Sequence, residues 1–337
     1  MVNIRALFVF AAVAVLGVSA MPSHSNDKGR VERLDWPPRA GPLSIMSYNI
    51  KGLPWPVASG RGEAIGAIGQ RLAALRSSGN QPHIVLLQEA FGNYAQVLGE
   101  TAGYRFVVSG PQASASQPTQ PLGQAFADGA QWIKGEESGT LTGSGLAILS
   151  DYPVVRTERY AFPAGACAGY DCLSAKGVLV AWIDVPGAGE PIAIVDTHLN
   201  SRNSTHVAVE RADRAFTWQA AAVRRILASD LPPDAPVILG GDFNTGHVPR
   251  RIAAVSLPLI EGAQRDGLGS VLARGGVTSG SQGEAQLIVR RNKDRILFRD
   301  GARVALRPEQ AWVPFALYSE RPLSDHAGFV VDYALER

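Results

Sequence analysis

Short apolar runs recur along this chain, and several of them end directly in an acid, an amide or a histidine. Apolar runs of roughly four to eight residues are typical of strands, and a run without alternation indicates a strand buried on both faces. We predict strands at 43–48, 84–88, 104–108, 146–149, 178–185, 192–197, 237–240, 295–298 and 329–333. Buried strands that end in polar groups deliver those groups to the edge of a sheet, where they are not buried unpaired. The pattern favours covered sheets with a polar rim.

Two other segments carry a helical period, with apolar residues three and four positions apart. Residues 63–77 place their isoleucines and leucines on one stripe and end toward Gly79. The longer segment 207–231 has one apolar face, with arginines opposite. Mixed strands and helices with two-sided burial predict the α/β class, arranged as a layered sandwich.

The composition is that of a globular protein. The chain has 337 residues, of which 46% are hydrophobic and 18% charged, so it can bury a substantial core. The formal net charge of +2 does not by itself imply nucleic acid. No second core is evident, so we predict one domain over 41–337 after a polar, proline-containing arm at 21–40. Two stretches without period are predicted to be a long surface loop at 110–129 and a flexible segment at 135–145.

The first 20 residues have the features of an export signal. A positive start at Arg5 precedes an apolar run over 6–18, and small residues follow at 18–20. An uncleaved anchor is the alternative, although the run is shorter than the ~20 residues that a spanning helix needs. We therefore expect export to the periplasm or the extracellular space. In an exported chain, the only two cysteines, Cys167 and Cys172, are predicted to form a disulfide that closes a small loop.

Two of the strand ends carry oxygen donors. Asn49 follows the run over 43–48, and Glu89 follows the run over 84–88. Oxygen ligands suit Mg²⁺, Mn²⁺ or Ca²⁺, and Mg²⁺ binds through only one or two carboxylates and keeps several waters. Each residue also has a plain structural interpretation, as an exposed strand-end acid or as a turn residue.

A third strand end is Gly240-Gly241-Asp242-Phe243-Asn244. Glycines in a strand allow another backbone or a ligand to approach closely. If the backbone stays extended, the side chains of Asp242 and Asn244 point to the same side. An Asx turn is the alternative for this segment.

Two histidines lie beside acids at strand ends. His198 closes the strand over 192–197, and His326 follows Asp325 shortly before the last strand. Imidazole titrates near neutrality and can accept or donate a proton. His326 is the better general-base candidate. The remaining histidines lack such a setting and are interpreted as loop or surface residues.

The chain resembles the endonuclease/exonuclease/phosphatase superfamily of metal-dependent phosphoesterases. The segments that carry the resemblance run in family order over about 43–333: Ser47-Tyr48-Asn49-Ile50, Leu87-Gln88-Glu89, Thr197-His198-Leu199, Gly241-Asp242-Phe243-Asn244, Lys293-Asp294-Arg295-Ile296 and Ser324-Asp325-His326. The resemblance implies a four-layer sandwich in which two mixed β-sheets lie face to face between outer layers of helices.

The resemblance also implies a metal-dependent mechanism. Asn49 and Glu89 would hold a catalytic Mg²⁺, with Asp325 as a further contributor, and Mn²⁺ or Ca²⁺ could replace it. Asp242 and Asn244 would position the attacking water and the phosphate oxygens. The metal and these groups would favour in-line attack on a phosphoester.

Proton transfer would fall to the histidines. His326 would act as the base, oriented by Asp294. His198 would bind the phosphate and could protonate the leaving alkoxide.

Three segments are similar to the neutral sphingomyelinase branch: Asn49-Ile-Lys-Gly-Leu-Pro54, Ser174-Ala-Lys176-Gly177, and Thr197-His-Leu199-Asn-Ser followed by a long helix. Lys176 could contact a phosphate as a point charge, or could be a strand-edge lysine that discourages aggregation. We therefore predict an exported phosphodiesterase for a choline-type phospholipid such as sphingomyelin. A lipid surface is its expected partner, and a monomer is expected, since no obligate protein partner is evident.

Other features of the sequence favour a substrate other than a phospholipid. Lys293-Asp294-Arg295-Ile296 is closer to DNase-like relatives, so an exported nuclease acting on nucleic acid is the runner-up, followed by a phosphatase of inositol or other small phosphates. A non-catalytic binder is disfavoured, because the expected acids and both histidines are present. No strongly hydrophobic hairpin suited to membrane insertion is evident. The aromatic segments 54–57 and 312–318 could contact lipid or pack in the core.

Overall fold

The computed structural model describes residues 41–53 and 57–337. The predicted export signal, the arm at 21–40 and residues 54–56 lie outside the described residues. The strands are β1 (Leu43–Asn49), β2 (Ile84–Gln88), β3 (Phe106–Ser109), β4 (Ala147–Ser150), β5 (Val154–Ala161), β6 (Gly177–Ile183), β7 (Ile192–His198), β8 (Val237–Asp242), β9 (Arg265–Asp266), β10 (Asp294–Arg299), β11 (Ala305–Phe315) and β12 (Gly328–Glu336). The helices are α1 (Arg61–Ser77), α2 (Tyr94–Ala102), α3 (Gln124–Ala127), α4 (Val209–Asp230), α5 (Pro249–Ser256), α6 (Gly267–Ala273) and α7 (Gln282–Arg291), with short 3-10 turns at Trp132–Lys134, Gly169–Leu173 and Ser279–Ser281.

The strands form two mixed six-stranded sheets. The first has the order β11-β12-β1-β2-β4-β3, and the second β5-β6-β7-β8-β10-β9. In each sheet one central pair is parallel, β1 with β2 and β7 with β8, and the other pairings are antiparallel. A central apolar cluster contains Ile45 and Leu86 of the first sheet and Ile194 and Ile238 of the second, so the sheets face each other.

Helices cover the outer faces of both sheets. Phe216 and Val223 of α4 pack with Val195 of the second sheet, and Ile68 of α1 packs with Val85 of the first. The predicted four-layer α/β sandwich is therefore confirmed. No helix within the described ranges is long and apolar enough to cross a membrane.

All of the predicted strands are present, but three strands were missed. Each missed strand lies at an edge of its sheet: β5, β9 and β11. The pattern of β5 is half exposed, and β11 contains Pro308 and two shifts of register. Edge strands are covered on fewer sides, so they lack the continuous apolar run on which the prediction depended.

The predicted flexible segment at 135–145 is better anchored than its composition suggests. The buried carboxylate of Glu136 accepts hydrogen bonds from the backbone N–H groups of Gly169 and Gln131, at 2.7 and 2.6 Å. It also accepts from Nε of Arg211 on α4 at 2.8 Å. The predicted disulfide between Cys167 and Cys172 is present beside Gly169. These contacts therefore hold the segment against α4 and the turn at Gly169, on the side of the second sheet.

One buried polar pair joins the two sheets beneath the polar rim. Nε2 of Gln88, at the end of β2, donates to Oδ1 of Asp196 on β7 at 2.7 Å, and both side chains are fully buried. Burial raises the pKa of the Asp196 carboxyl well above its usual value. Within the described residues, Asp196 Oδ2 and Gln88 Oε1 have no hydrogen-bond partner. Burial therefore favours the neutral form of the Asp196 carboxyl, paired with the amide of Gln88.

The neutral state of Asp196 predicts the effect of replacing it by asparagine. A folded-state pKa above the unfolded one means that folding takes up a proton, so stability falls as pH rises through the folded-state pKa. Asp196→Asn stays neutral at every pH and can donate to Gln88 Oε1. We expect it to exceed the wild type in free energy of unfolding at pH 8 by about 1–3 kcal/mol, and to show a weaker pH dependence. Urea unfolding at acidic and alkaline pH measures both the free energy of unfolding and its pH dependence. If Asp196→Asn lost as much free energy of unfolding as Asp196→Ala, the neutral pair would be contradicted.

Candidate active site

The predicted site residues meet at one edge of the sandwich. Asn49 ends β1 in the first sheet, whereas His198 and Asp242 end the parallel strands β7 and β8 in the second. Asp294 begins β10, which is antiparallel to β8 and pairs it with Asp242. Because the carboxyl ends of parallel strands share an edge, both sheets present their polar groups on the same side.

The carboxylate of Asp242 is the centre of this group. Its Oδ2 accepts a hydrogen bond from Nδ2 of Asn49 at 3.1 Å, across the gap between the sheets. The same oxygen lies 3.5 Å from Nε2 of His198 and 3.6 Å from Nε2 of His326. Burial opposes its ionisation, but the two imidazoles outweigh burial and lower the pKa of Asp242 to about 2. Asp242 is therefore an anion between two histidines.

His326 is held by a second buried carboxylate. Its Nδ1 lies 2.8 and 2.9 Å from the two oxygens of Asp294, so the ring turns Nε2 toward Asp242. Burial alone would lower the pKa of His326, but Asp294 and Asp242 raise it to about 9. In the metal-free protein His326 therefore carries a proton at neutral pH. Asp242, Asp294 and His326 form the one group of three potential metal ligands found in the described ranges. Within it His326 is hydrogen-bonded to Asp294 and lies in ionic contact with Asp242.

His198 has the opposite electrostatic environment. Burial, together with the positive charge of Lys176, lowers its pKa to about 3. Its ring is therefore neutral, and its buried Nδ1 has no hydrogen-bond partner among the described residues. The two histidines of the site thus differ in charge, although both face the same carboxylate.

Glu89 and Asn49 form the oxygen-rich part of the site. Nδ2 of Asn49 donates to Oε1 of Glu89 at 3.0 Å, and Glu89 has a left-handed backbone with φ of 55°. The backbone packs so tightly there that a Cβ on Gly52 would lie 2.4 Å from the Glu89 carbonyl oxygen. Burial raises the pKa of Glu89, so its anion lacks sufficient compensating charge. A hard divalent cation would supply that charge, and the carboxylate and amide oxygens fit one.

Asp325 stands apart from that pair. Its carboxylate forms an ion pair with Nζ of Lys51 at 3.1 Å, and its side chain is 58% exposed. The structure therefore places Asp325 at the rim of the site, one residue from His326, and does not bring it into contact with Asn49 or Glu89.

Lys176 is a buried part of the site. Its Nζ donates to Oδ2 of Asp171 at 2.8 Å and to the carbonyl oxygen of Leu199 at 3.2 Å. The strand that follows it, β6, lies between β5 and β7, so the alternative of a strand-edge lysine is wrong. The positive charge of Lys176 acts on Glu89 and His198.

The segment after β8 turns instead of staying extended. Asn244 has φ of 51°, and its backbone N–H donates to Oδ1 of Asp242 at 2.9 Å, which is an Asx turn. Nδ2 of Asn244 donates to the Leu199 carbonyl oxygen at 3.0 Å. The extended backbone considered for this segment is therefore wrong. Gly241 has φ of 143°, and a Cβ there would lie 1.9 Å from the carbonyl oxygen of Thr197, so glycine is needed for strand packing.

A model of the Endonuclease/Exonuclease/phosphatase family matches residues 46–326, a range that contains every residue of this site. The chain belongs to this family. The resemblance predicted from the ordered segments is confirmed.

The chain is similar in sequence to a sphingomyelinase and in fold to several solved structures. The sphingomyelinase of Mycobacterium tuberculosis is 25% identical over 316 residues, covering 87% of this chain and 53% of the relative, so the chain spans about half of that relative's length. Beta toxin from Staphylococcus aureus with bound magnesium ions has a TM-score of 0.55 at 18% identity, covering 86% of this chain and 99% of that one. D. rerio TDP2 complexed with single strand DNA product has a TM-score of 0.54 at 19% identity, covering 87% and 98%. Both solved structures support the fold alone.

The sequence analysis missed two residues that support the candidate active site, Arg251 and Ser324. Arg251 is fully buried and donates to Asp213 at 2.6 Å and to the carbonyl oxygens of Asn200 and Asn244, both at 2.8 Å. The hydroxyl of Ser324 donates to the Asn49 carbonyl oxygen at 2.7 Å. Arg251 stands in a short helix beside the exposed Arg250, and no local pattern separates the two.

Proposed function

We propose that the protein is an exported, metal-dependent phosphodiesterase that hydrolyses a choline-type phospholipid such as sphingomyelin. The observation that carries the phosphodiesterase assignment is the continuous series of polar contacts from Glu89 through Asn49 and Asp242 to His326 and Asp294. Such a series combines oxygen donors for a cation with a buried imidazole that can exchange a proton. Export is inferred from the sequence of residues 1–20, and the catalytic domain is assigned to 41–337 as a monomer.

In this proposal each side chain has one role. Asp294 keeps a proton on Nδ1 of His326, which leaves Nε2 to take the proton of the attacking water. A divalent cation, Mg²⁺ in the first instance, would be held by Glu89 and Asn49, would polarise the phosphate, and would offset the carboxylate charge that raises the pKa of His326. Asp242 orients both imidazoles.

The remaining residues of the proposed site bind the phosphate. Lys176 and Asn244 hold phosphate oxygens, and His198 binds the phosphate. The negative charge of the bound phosphate would raise the low pKa of the His198 imidazole, so that the protonated ring can pass a proton to the leaving oxygen. Asp325 lies at the rim of the site and could supply a further oxygen ligand to the cation.

A lipid substrate is favoured by the relatives. The sphingomyelinase of Mycobacterium tuberculosis matches 87% of this chain. The segments Asn49-Ile-Lys-Gly-Leu-Pro54 and Ser174-Ala-Lys176-Gly177 are similar to that branch. These likenesses support a phosphocholine ester over the other phosphoesters of the family.

A nuclease is the second candidate, and one structural feature favours it. An open cavity of about 770 Å³ beside Asp325 is lined by Lys51, Arg61 and Arg291. Three cations against one acid suit an extended anion such as a nucleic-acid backbone.

The test compares sphingomyelin vesicles and plasmid DNA in parallel, each with Mg²⁺ or with EDTA. We expect phosphocholine release with Mg²⁺, none with EDTA, and intact plasmid. Nicked plasmid with intact lipid would replace the lipid assignment by the nuclease.

Metal binding is measured separately through stability, because Mg²⁺ at 100 times its Kd should raise the free energy of unfolding by about 2.7 kcal/mol. That gain should be lost in Glu89→Gln and kept in Glu63→Gln, which alters an exposed acid on α1.

A further inference from the structure

Four large apolar side chains are exposed near one another on the side of the molecule that carries the disulfide. Trp132, Ile133 and Leu141 are 71%, 70% and 71% exposed, and Tyr170 is 42% exposed. We call these residues the Trp132 patch. Soluble proteins scatter single apolar residues over the surface, but neighbouring large ones mark an interaction site.

The members of the Trp132 patch are joined through one underlying residue, Leu173. Its carbonyl oxygen accepts hydrogen bonds from the backbone N–H groups of Leu141 and Thr142, at 2.8 and 3.1 Å. A Cβ on Gly135 would lie 2.6 Å from the Leu173 side chain, so the turn that carries Trp132 and Ile133 packs against the same leucine. Nζ of Lys134 lies 5.4 Å from the centre of the Tyr170 ring.

The patch is held in its exposed position. Glu136 ties the segment after Trp132 to Arg211 and to the backbone of Gly169. The disulfide between Cys167 and Cys172 closes the turn that carries Tyr170. These restraints fix the backbone of the segments that carry the apolar side chains, and they lower the entropy that binding would cost.

The same turn connects the patch to the active site. Asp171 follows Tyr170 directly, and its Oδ2 accepts hydrogen bonds from Lys176 at 2.8 Å and from the backbone N–H of Ser201 at 2.7 Å. Lys176 in turn acts on Glu89 and His198. Tyr170 of the Trp132 patch is therefore separated from Lys176 by one residue and one hydrogen-bonded ion pair.

We propose that the Trp132 patch docks the protein on the surface of a zwitterionic phospholipid bilayer; this inference rests on the lipid substrate proposed above. Tryptophan and tyrosine beside aliphatic residues suit the headgroup boundary, and the Lys134 stem can lie along the patch with its ammonium in water. The exposed Glu137 balances Lys134, so the attraction is hydrophobic and does not select anionic lipid. Docking brings the bilayer surface to the side of the protein that carries Tyr170 and Asp171, the ion-pair partner of Lys176.

The test measures sedimentation of the full chain with phosphatidylcholine vesicles in EDTA, so that neither turnover nor a cation contributes. We expect Trp132→Ala and Ile133→Ser each to lower the partition coefficient by about 10-fold or more, with Trp132→Phe retaining most of it. Leu257→Ala removes a side chain that is 61% exposed at the C-cap of α5, outside the Trp132 patch, and serves as the matched control, with binding unchanged. High salt should leave binding unchanged.

A second readout does not depend on how the rest of the chain binds. Brominated lipid should quench the wild type more than Trp132→Phe, and the difference reports whether Trp132 enters the bilayer. Equal quenching, equal binding of Trp132→Ala and wild type, or binding only to anionic vesicles would each overturn the docking proposal.

Activity separates this proposal from the function on which it rests. With Mg²⁺ and a water-soluble phosphodiester, Trp132→Ala should match the wild type. If the wild type cleaves no phosphodiester and yet sediments as expected, the proposed function fails while the docking surface stands.

Discussion

Replacing His326 by alanine is expected to lower kcat for phosphodiester hydrolysis by about 10²- to 10⁴-fold, the usual contribution of a positioned acid or base. The reason is geometric, because Nε2 of His326 faces the centre of the site while Asp294 holds Nδ1 at 2.8 Å. The measurement is kcat on a water-soluble phosphodiester at saturating Mg²⁺. His247→Ala, which alters an exposed histidine outside the site, is the control and should leave kcat unchanged.

The contact between His326 and Asp294 leads to a related prediction for variants of Asp294. If Asp294 acts only by orienting His326, then Asp294→Asn should lower kcat less than His326→Ala. The double variant should be no slower than His326→Ala alone, because groups that act as a unit are not additive. Additive losses, or a loss below about 10-fold for His326→Ala, would assign the proton transfer to another group.

Replacing Arg251 by alanine is expected to lower the free energy of unfolding by about 3–5 kcal/mol, the cost of removing one partner from a buried ion pair. Its guanidinium is the fully buried partner of Asp213 and also donates to three backbone carbonyl oxygens, those of Asn200, Ser201 and Asn244. Urea unfolding measures the loss. The matched control is Arg250→Ala, one residue earlier and exposed, for which a change within about 0.5 kcal/mol is expected.

The Arg251 variant should also affect catalysis. The carbonyl oxygens of Asn200 and Asn244 belong to the loops that follow β7 and β8, and these loops carry residues of the site. We expect kcat to fall in Arg251→Ala even at temperatures where the protein remains folded. A cost in stability below about 1 kcal/mol would show that water or a neighbouring residue replaces the guanidinium contacts.

Much of the fold was predictable because the central strands are buried on both faces. The strand over 84–88 was predicted with the bounds that the structure has. β7 extends one residue beyond its predicted end, to His198, and β8 extends two, to Asp242. The edge strands β5 and β11 were missed, since their composition mixes exposed and buried positions. Helix α4 was found because its apolar face is long, whereas the short helix α5 has too few residues to show a period.

The candidate site was predictable to the extent that it lies at strand ends. Asn49, Asp242 and His198 end predicted strands, and the structure brings them within hydrogen-bonding distance or close to it. The aromatic segment at 312–318 was ambiguous, and the structure shows Phe315 packed in the core and Tyr318 exposed. The exposed Trp132 lies between the two stretches without period, 110–129 and 135–145, and no helix or strand pattern includes it.

The sequence by itself determined which groups are available: the apolar runs specify two covered sheets, and the polar residue at each run's end specifies what reaches the rim. Only the tertiary structure decided their charges and partners. His326 and His198 are both strand-end histidines beside acids, yet the pKa of His326 is raised to about 9 and that of His198 is lowered to about 3. The difference arises because Asp294 contacts His326, while Lys176 and burial act on His198. Asp294 and His326 are 32 positions apart, and Lys176 and His198 are 22 positions apart. No local pattern in the chain encodes a Coulomb interaction across such a separation.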